Sequence, residues 1–174
     1  MVDDDDGESR GEAELEPRPP GEGDLVELCR ALNESGSKYM IIGGFAMIQA
    51  GYPRFTGNLD ILMDVSPANE ARIFEALRTL PDKAVDELDP GDVSKYLVVR
   101  VADEIVVDLM KSASGIEYEE ASREVVIRKV CDVEIPFASP RLLWRMKKST
   151  HREKDAGDLV FLRKWFEARG ETPP

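Results

Sequence analysis

From Asp24 onward, apolar and polar positions recur in patterns that predict a series of elements. Leu25, Val26, Leu28, Cys29 and Leu32 follow helical spacing, with Asp24 as cap and Gly36 as stop. Residues 39–42, Tyr-Met-Ile-Ile, form a short continuous apolar run that reads as a buried strand. Gly43-Gly44 follow, then a small helix over 45–50 that ends at Gly51. A second strand is expected near 59–65, and Ser66-Pro67 then opens a helix with Ile73, Phe74 and Leu77 as its inner stripe. Residues 82–92 read as a polar, acidic loop. Strands 96–101 and 105–110 join at Asp103-Glu104 as a hairpin, and 124–130 and 133–137 form a second hairpin turning at Cys131-Asp132. Ser139-Pro140 repeats the helix-start signal. Two helices close the chain over 140–149 and 152–169, the second with Leu159, Leu162, Trp165 and Phe166 inward. The order predicts an α/β (α+β) domain: a mixed β-sheet flanked by helices, with a C-terminal helix pair.

Composition changes this picture at the N-terminus. Residues 1–23 are acidic, rich in Gly, Pro and Glu, and nearly free of large apolar side chains. Such a segment buries too little surface to offset its ordering entropy, so a disordered acidic tail over 1–23 and one domain over 24–170 are expected. The tail also explains most of the charge. The net charge is -12, but residues 1–24 hold ten acids and two bases. Residues 141–169 hold nine bases and four acids. An acidic total argues against a protein that coats nucleic acid, whereas the basic C-terminal segment suits a triphosphate or a nucleic-acid end.

Two cysteines, Cys29 and Cys131, and one histidine, His151, exclude a zinc finger and a disulfide framework. His151 lies among Lys147, Lys148 and Arg152, a poor setting for a general base, and reads as an exposed helix-end residue. Cys29 falls on an apolar helix face and reads as core. The start Met-Val-Asp-Asp-Asp-Asp lacks the basic and apolar segments of a signal peptide. The longest apolar stretch, 39–48, is too short to cross a bilayer, so a soluble, cytoplasmic protein without a membrane partner is expected.

Three features carry candidate chemistry, and each has a plainer alternative. Gly43-Gly44, between a strand and a helix, leave bare backbone N–H groups that a phosphate can approach, or are simply a tight turn. Asn58 and Asp60 share one face of the next strand, and two oxygen-bearing side chains there suit a hard divalent cation, or are simply a polar strand start. Asp108 sits inside the apolar strand Ile105-Val106-Val107-Asp108-Leu109-Met110 and demands a partner: a cation with Asn58 and Asp60, or a structural arginine or backbone cap.

In combination, a strand, Gly43-Gly44, a helix, the run Thr56-Gly57-Asn58-Leu59-Asp60 and a later strand with Asp108 resemble the nucleotidyltransferase fold of the DNA polymerase beta superfamily. The run Gly43 to Thr56, and Lys147 followed by Arg152-Glu153-Lys154-Asp155 and Asp158-Leu159, resemble the small prokaryotic branch of AbiEii-type toxin nucleotidyltransferases. The resemblance spans about residues 37–165. It implies Mg²⁺-dependent transfer of a nucleotidyl group from a nucleoside triphosphate to a hydroxyl of RNA (tRNA included), a protein or a small molecule. It further implies Asn58, Asp60 and Asp108 at the metal, with Asp60 and Asp108 catalytic and Asp108 placed to take the acceptor's proton. Gly43, Gly44, Arg54, Thr56, Lys147, Arg152 and Lys154 would contact nucleotide or acceptor, and a cognate antitoxin or regulatory protein is an implied partner.

One departure bears on activity: Asn58 stands where the family carries its first metal-binding aspartate. An amide oxygen ligates magnesium but adds no negative charge. Three explanations stand side by side. The enzyme works with Asn58, or the domain binds nucleotide without turnover, or the residue is a deliberate inactivating change.

Overall fold

The computed structural model describes residues 16–174, so the expectation for residues 1–15 lies outside the described residues. In chain order the elements are α1 (Glu22–Glu34), β1 (Tyr39–Ile42), α2 (Gly43–Gln49), β2 (Leu59–Met63), α3 (Pro67–Leu77), α4 (Asp92–Lys95), β3 (Val99–Ala102), β4 (Val106–Met110), β5 (Ser112–Ala113), β6 (Ile116–Glu117), α5 (Tyr118–Ala121), β7 (Val125–Val130), β8 (Val133–Ala138), α6 (Pro140–Lys147) and α7 (Glu153–Glu167). Short 3₁₀ turns cover Ala84–Glu87 and Ser122–Glu124. The fold is the mixed sheet flanked by helices that the pattern predicts.

Six strands form the sheet in the order β3-β4-β2-β1-β8-β7. The pairs β1–β2, β3–β4 and β7–β8 are antiparallel, and β2–β4 and β1–β8 are parallel. The central strands are apolar on both faces: β1 is buried throughout, and β2 exposes only part of Asp60. Strand β3 is at an edge and alternates, with Val99 and Val101 buried and Arg100 and Ala102 exposed. Helix α1 packs on α3 and β8, α2 packs on β1, β2 and α6, and α6 packs on α7. The core takes in Ile41, Leu59, Ile61, Phe137, Leu162 and Phe166, all essentially inaccessible to water. Cys29 is buried with them, and burial pushes its thiol up to about 12.

Several local expectations are refined. Helix α1 starts at Glu22, ahead of Asp24, and residues 16–21 lie ordered against the domain: the Arg18 N–H donates to Glu104 O (2.9 Å) and the Arg18 guanidinium grips both Asp24 oxygens (2.7 and 2.8 Å). Asp24 is therefore not the cap; it is the third helical residue, and its carboxylate accepts the Gly21 N–H (2.7 Å). At α3 the Ser66 side chain makes no cap hydrogen bond, although the helix does begin at Pro67. At α6 the Ser139 hydroxyl caps as expected, accepting from Leu142 N–H. Cys131 and Asp132, both with positive φ, form the two-residue turn of the β7–β8 hairpin. Residues 111–124, unassigned by the pattern, fold into the two-strand ribbon β5–β6 and the turn of α5. On α7, Leu162 and Phe166 are buried, whereas Leu159 and Trp165 are half-buried.

The β3–β4 connection differs in a way that matters for the site. A two-residue turn at Asp103-Glu104 would pair Ala102 with Ile105. The connection instead takes three residues, so Ala102 pairs with Val106 and Arg100 with Asp108. Buried Asp103 pins it, accepting the backbone N–H groups of Asp82 (3.0 Å), Ala84 (2.9 Å) and Glu104 (2.7 Å). Replacing Asp103 by alanine strands three donors, and we expect a loss of about 3 kcal/mol in urea unfolding. A loss below about 0.5 kcal/mol, the range of an ordinary surface substitution, would show that the carboxylate is not what holds the connection.

Candidate functional site

The strand registers place one row of residues across four strands. Ile42 pairs with Asp60, Asp60 with Asp108, and Asp108 with Arg100. Paired residues point to the same face, so the two carboxylates and the guanidinium stand side by side. Gly43 follows Ile42 directly and closes the row at one end. Its φ of +66° favours glycine, and a Cβ there would collide with Asp60 Oδ2. A Cβ on Gly44 would lie 2.5 Å from Thr56 Oγ1. Both glycines are thus required by close approach, one to Asp60 and one to Thr56. Thr56 also donates its hydroxyl to Asn58 O (3.0 Å), which fixes the turn into β2.

Asn58 stands above the two acids. Its Nδ2 donates to Asp60 Oδ1 (2.6 Å) and to Asp108 Oδ2 (2.9 Å). Arg100 completes the set with a two-pronged grip on Asp108, Nε to Oδ1 at 2.8 Å and NH2 to Oδ2 at 2.9 Å. Asp108 thus has both oxygens engaged, while Asp60 Oδ2 accepts no hydrogen bond among the described residues. Burial and then the charge of Asp108 push Asp60 up to about 6, partly offset by Lys154, the Asn58 amide and Lys147. Among the described residues, no three His, Cys, Asp or Glu side chains are gathered as a metal group.

The basic residues predicted around this cluster fall into two groups. Lys147, at the C-terminal end of α6, is buried and sits between Asp155 Oδ1 (2.9 Å) and Asp158 Oδ2 (2.8 Å). Arg152 Nε meets Asp155 Oδ2 at 2.8 Å, and Thr150 donates its hydroxyl to the same oxygen at 2.6 Å. Arg54 NH2 donates to Asp158 Oδ2 at 3.1 Å. Arg54 Nε also lies 3.0 Å from Asp158 Oδ1, but the angle is wrong for a hydrogen bond, so this contact is an ion pair only. Burial pushes Asp155 up, and its donors Thr150, Lys147 and Arg152 outweigh that and hold it down to about 2. Lys147, Arg152 and Arg54 are therefore engaged by α7 carboxylates. Lys154 is exposed and forms no ion pair among the described residues, and its charge is felt at Asp60. His151 is exposed in the α6–α7 connection.

A cavity of about 310 Å³ is walled by Phe45, Ile48, Arg54, Phe55 and Thr56 against residues 19–22, and none of Asn58, Asp60, Asp108 or Arg100 lines it. Phe55 is exposed and presents its ring there. Neither Arg100 nor Phe55 was singled out by sequence. The signal for Arg100 was present in the alternation Val99-Arg100-Val101, but the face it occupies depends on the length of the β3–β4 connection.

No protein-family model matches the chain, and no curated protein matches it. Among solved structures, it is similar to a Thermotoga maritima protein provisionally described as a nucleotidyltransferase. The identity is 16%, the TM-score 0.45, and the match covers 83% of this chain and 91% of that one. No helix among the described residues is long and apolar enough to cross a membrane.

Two outcomes check the electrostatics. Because the folded-state pKa of Asp60 lies above its ordinary value of 3.8, the folded state binds the proton more tightly, and stability falls as pH rises from about 4 through 6. Asp60→Asn should therefore stabilise the protein by about 2 kcal/mol at pH 7 and by nearly nothing at pH 3.5, read as urea midpoints. An equal effect at both pH values would contradict the burial assigned to this group. Lys147→Met removes the central cation from two buried carboxylates and should cost about 3–5 kcal/mol. A change within about 0.5 kcal/mol would mean that Lys147 does not hold α6 to α7.

Proposed function

We propose that this protein transfers a nucleotidyl group from a nucleoside triphosphate to a hydroxyl acceptor, forming an acceptor oxygen–α-phosphorus bond and releasing pyrophosphate, with magnesium as cofactor. The observation that carries the reading is the row itself: two carboxylates at one level of adjacent strands, beside a turn whose glycines leave no side chain in the way of a phosphate. The sequence resemblance to the DNA polymerase beta superfamily supports the same reading.

The donor set fits one hard divalent ion. Two carboxylates and one amide supply oxygen ligands, and a half-turn of the Asn58 amide presents Oδ1 in place of Nδ2. It carries too little charge for two ions, since Arg100 already neutralises one carboxylate. Asn58, Asp60 and Asp108 would hold the ion. Bound magnesium supplies charge neutralisation to a triphosphate and acidity to an attacking hydroxyl. The remaining work falls to the chain. Asp60, whose Oδ2 carries no donor, takes the acceptor's proton, whereas both oxygens of Asp108 are engaged. The N–H groups at Gly43-Gly44 would donate to phosphate oxygens, and exposed Lys154 adds a positive charge near Asp60. Lys147, Arg152 and Arg54 act one step back, by anchoring the start of α7 and hence Lys154. The cavity at Phe55 gives a base an apolar wall. The finer likeness, to AbiEii-type toxins with RNA as acceptor and an antitoxin as partner, draws on the pattern from Lys147 to Asp158, in which Lys147, Arg152, Asp155 and Asp158 form one ion network.

A second reading is favoured by one observation. The Asn58 amide nitrogen bridges both carboxylates where a cation would lie, as expected of a domain that binds nucleotide without turnover.

Labelled nucleoside triphosphates, magnesium and a pool of tRNA, other RNA and small hydroxyl acceptors separate the two. Transfer should be detectable, should fall by about 100-fold or more in Asp60→Ala, and should rise about tenfold in Asn58→Asp, where the lost charge returns. Calorimetric nucleotide binding without transfer, even in Asn58→Asp, would establish the second reading. Transfer that survives both Asp60→Ala and Asp108→Ala would sink the proposal.

A further inference from the structure

We infer that Arg100 is a built-in counter-cation that competes with the divalent ion for Asp108, so that ion entry requires the arginine to swing out. The inference rests on the magnesium reading above and adds a residue that neither the resemblance nor the sequence pattern assigned.

The partners of this ion pair are unequally free. The side chain of Asp108 is 7% exposed and that of Arg100 is 63% exposed. The carboxylate belongs to an inner strand, between β2 and β3, and cannot leave. Arg100 projects from the edge strand, and only its guanidinium tip is committed, through the two bonds to Asp108. An exposed arginine loses little when it exchanges a carboxylate for water, because water already solvates most of its surface. Its position is equally telling. The guanidinium donates to both Asp108 oxygens, one of which also accepts the Asn58 amide. Three of the four lone-pair sites of the carboxylate are thereby answered by N–H donors, which leaves one site on Oδ1 for a metal while the arginine is in place.

Two groups thus perform the neutralising task of a cation: Asn58 with its amide, and Arg100 with a full charge. They release it differently. Asn58 needs only a rotation of its side-chain amide, which leaves an oxygen facing the acids. Arg100 has no acceptor and no neutral form at ordinary pH, so it can only move away. A divalent ion that binds with Arg100 in place meets one uncompensated carboxylate; with Arg100 displaced it meets two. Arg100 therefore lowers the affinity of the site for the ion, and a group that draws the guanidinium outward raises it. A phosphate oxygen of an arriving nucleotide has the required charge and geometry. Ion and triphosphate would then bind with positive coupling, each favouring the state in which Arg100 has left Asp108.

The test uses the full chain and Mn²⁺ as a spectroscopic substitute for Mg²⁺, with free ion counted by electron paramagnetic resonance. Arg100→Gln should bind Mn²⁺ at least about tenfold more tightly than the unaltered protein, and Arg100→Lys, which keeps the charge but loses the two-pronged grip, should fall between. Circular dichroism melts confirm that the variants are folded. In a second arm that needs no variant, the Arg100 Nε–H resonance should shift saturably as Mg²⁺ is added. Equal Mn²⁺ affinity in the unaltered protein and in Arg100→Gln, or an Arg100 resonance unmoved while Asp60 responds, would overturn the competition and leave the metal site standing. Failure of every variant to bind Mn²⁺, Asn58→Asp included, would overturn the metal site and the competition with it.

Discussion

Two carboxylates that face the same way from directly paired positions on neighbouring strands cannot both carry unrelieved charge in a partly buried setting. Asp60 and Asp108 are such a pair, and the surrounding structure is arranged around their relief. Asp108 is relieved by an arginine on the next strand out and by an amide. Asp60 has the amide alone, with more distant lysines, and is left as the harder group to ionise. The asymmetry distinguishes the pair: Asp108 is held at both oxygens, whereas Asp60 keeps Oδ2 without a donor.

The same constraint recurs in the C-terminal helices with a different solution. Asp155 and Asp158 are three residues apart on α7 and share its buried face with Leu162 and Phe166. Burying two acids on one helix face is tolerable only with cations brought to them, and Lys147, Arg152 and Arg54 come from α6, the connection and the α2–β2 loop. The loop that carries Arg54, 104 residues before Asp158, is thereby tied to the α6–α7 junction. The tie fixes the first turn of α7 beside β2, so the ion network and the carboxylate row are mechanically connected through the position of that turn. A functional reading of Lys147 as a direct phosphate contact has to reckon with the two acids that already hold it.

Much of this was legible in the sequence. The continuous apolar run at 39–42 and the run at 59–63, apolar but for Asp60, announced inner strands, Ser139-Pro140 announced α6, and the pair Cys131-Asp132 announced a hairpin. The acids and glycines of the row were visible as separate signals. Their assembly depended on register, which a chain pattern carries only weakly. The decisive case is the β3–β4 connection. One residue more in that turn reverses which side of β3 faces Asp108, and the choice is made by Asp103, whose carboxylate gathers three N–H groups from the far ends of two loops. No local pattern announces a contact of that kind. Lys147 was obscured for a related reason: among neighbouring bases it looks like part of a solvated face, and only the α6–α7 packing turns it inward. Residues 111–124 were missed because strands of two residues have no periodicity to detect.

The substitution at position 58 acquires a physical meaning once Arg100 is in view. An aspartate there would place a third negative charge within reach of Asp60 and Asp108, and one arginine would not balance three acids; such a site would draw a divalent ion strongly even at rest. With Asn58, the resting cluster has two acids, one guanidinium and a neutral donor, and it closes on itself with every inward-facing oxygen but one engaged. The amide and the arginine are therefore best understood as a matched pair. The amide lowers the demand for external cation to a level that the arginine can nearly meet, and the arginine's exposure keeps that arrangement reversible. If the proposed function holds, Asn58 together with the exposed Arg100 would leave the site closed when empty yet able to open to a triphosphate that brings its own cation.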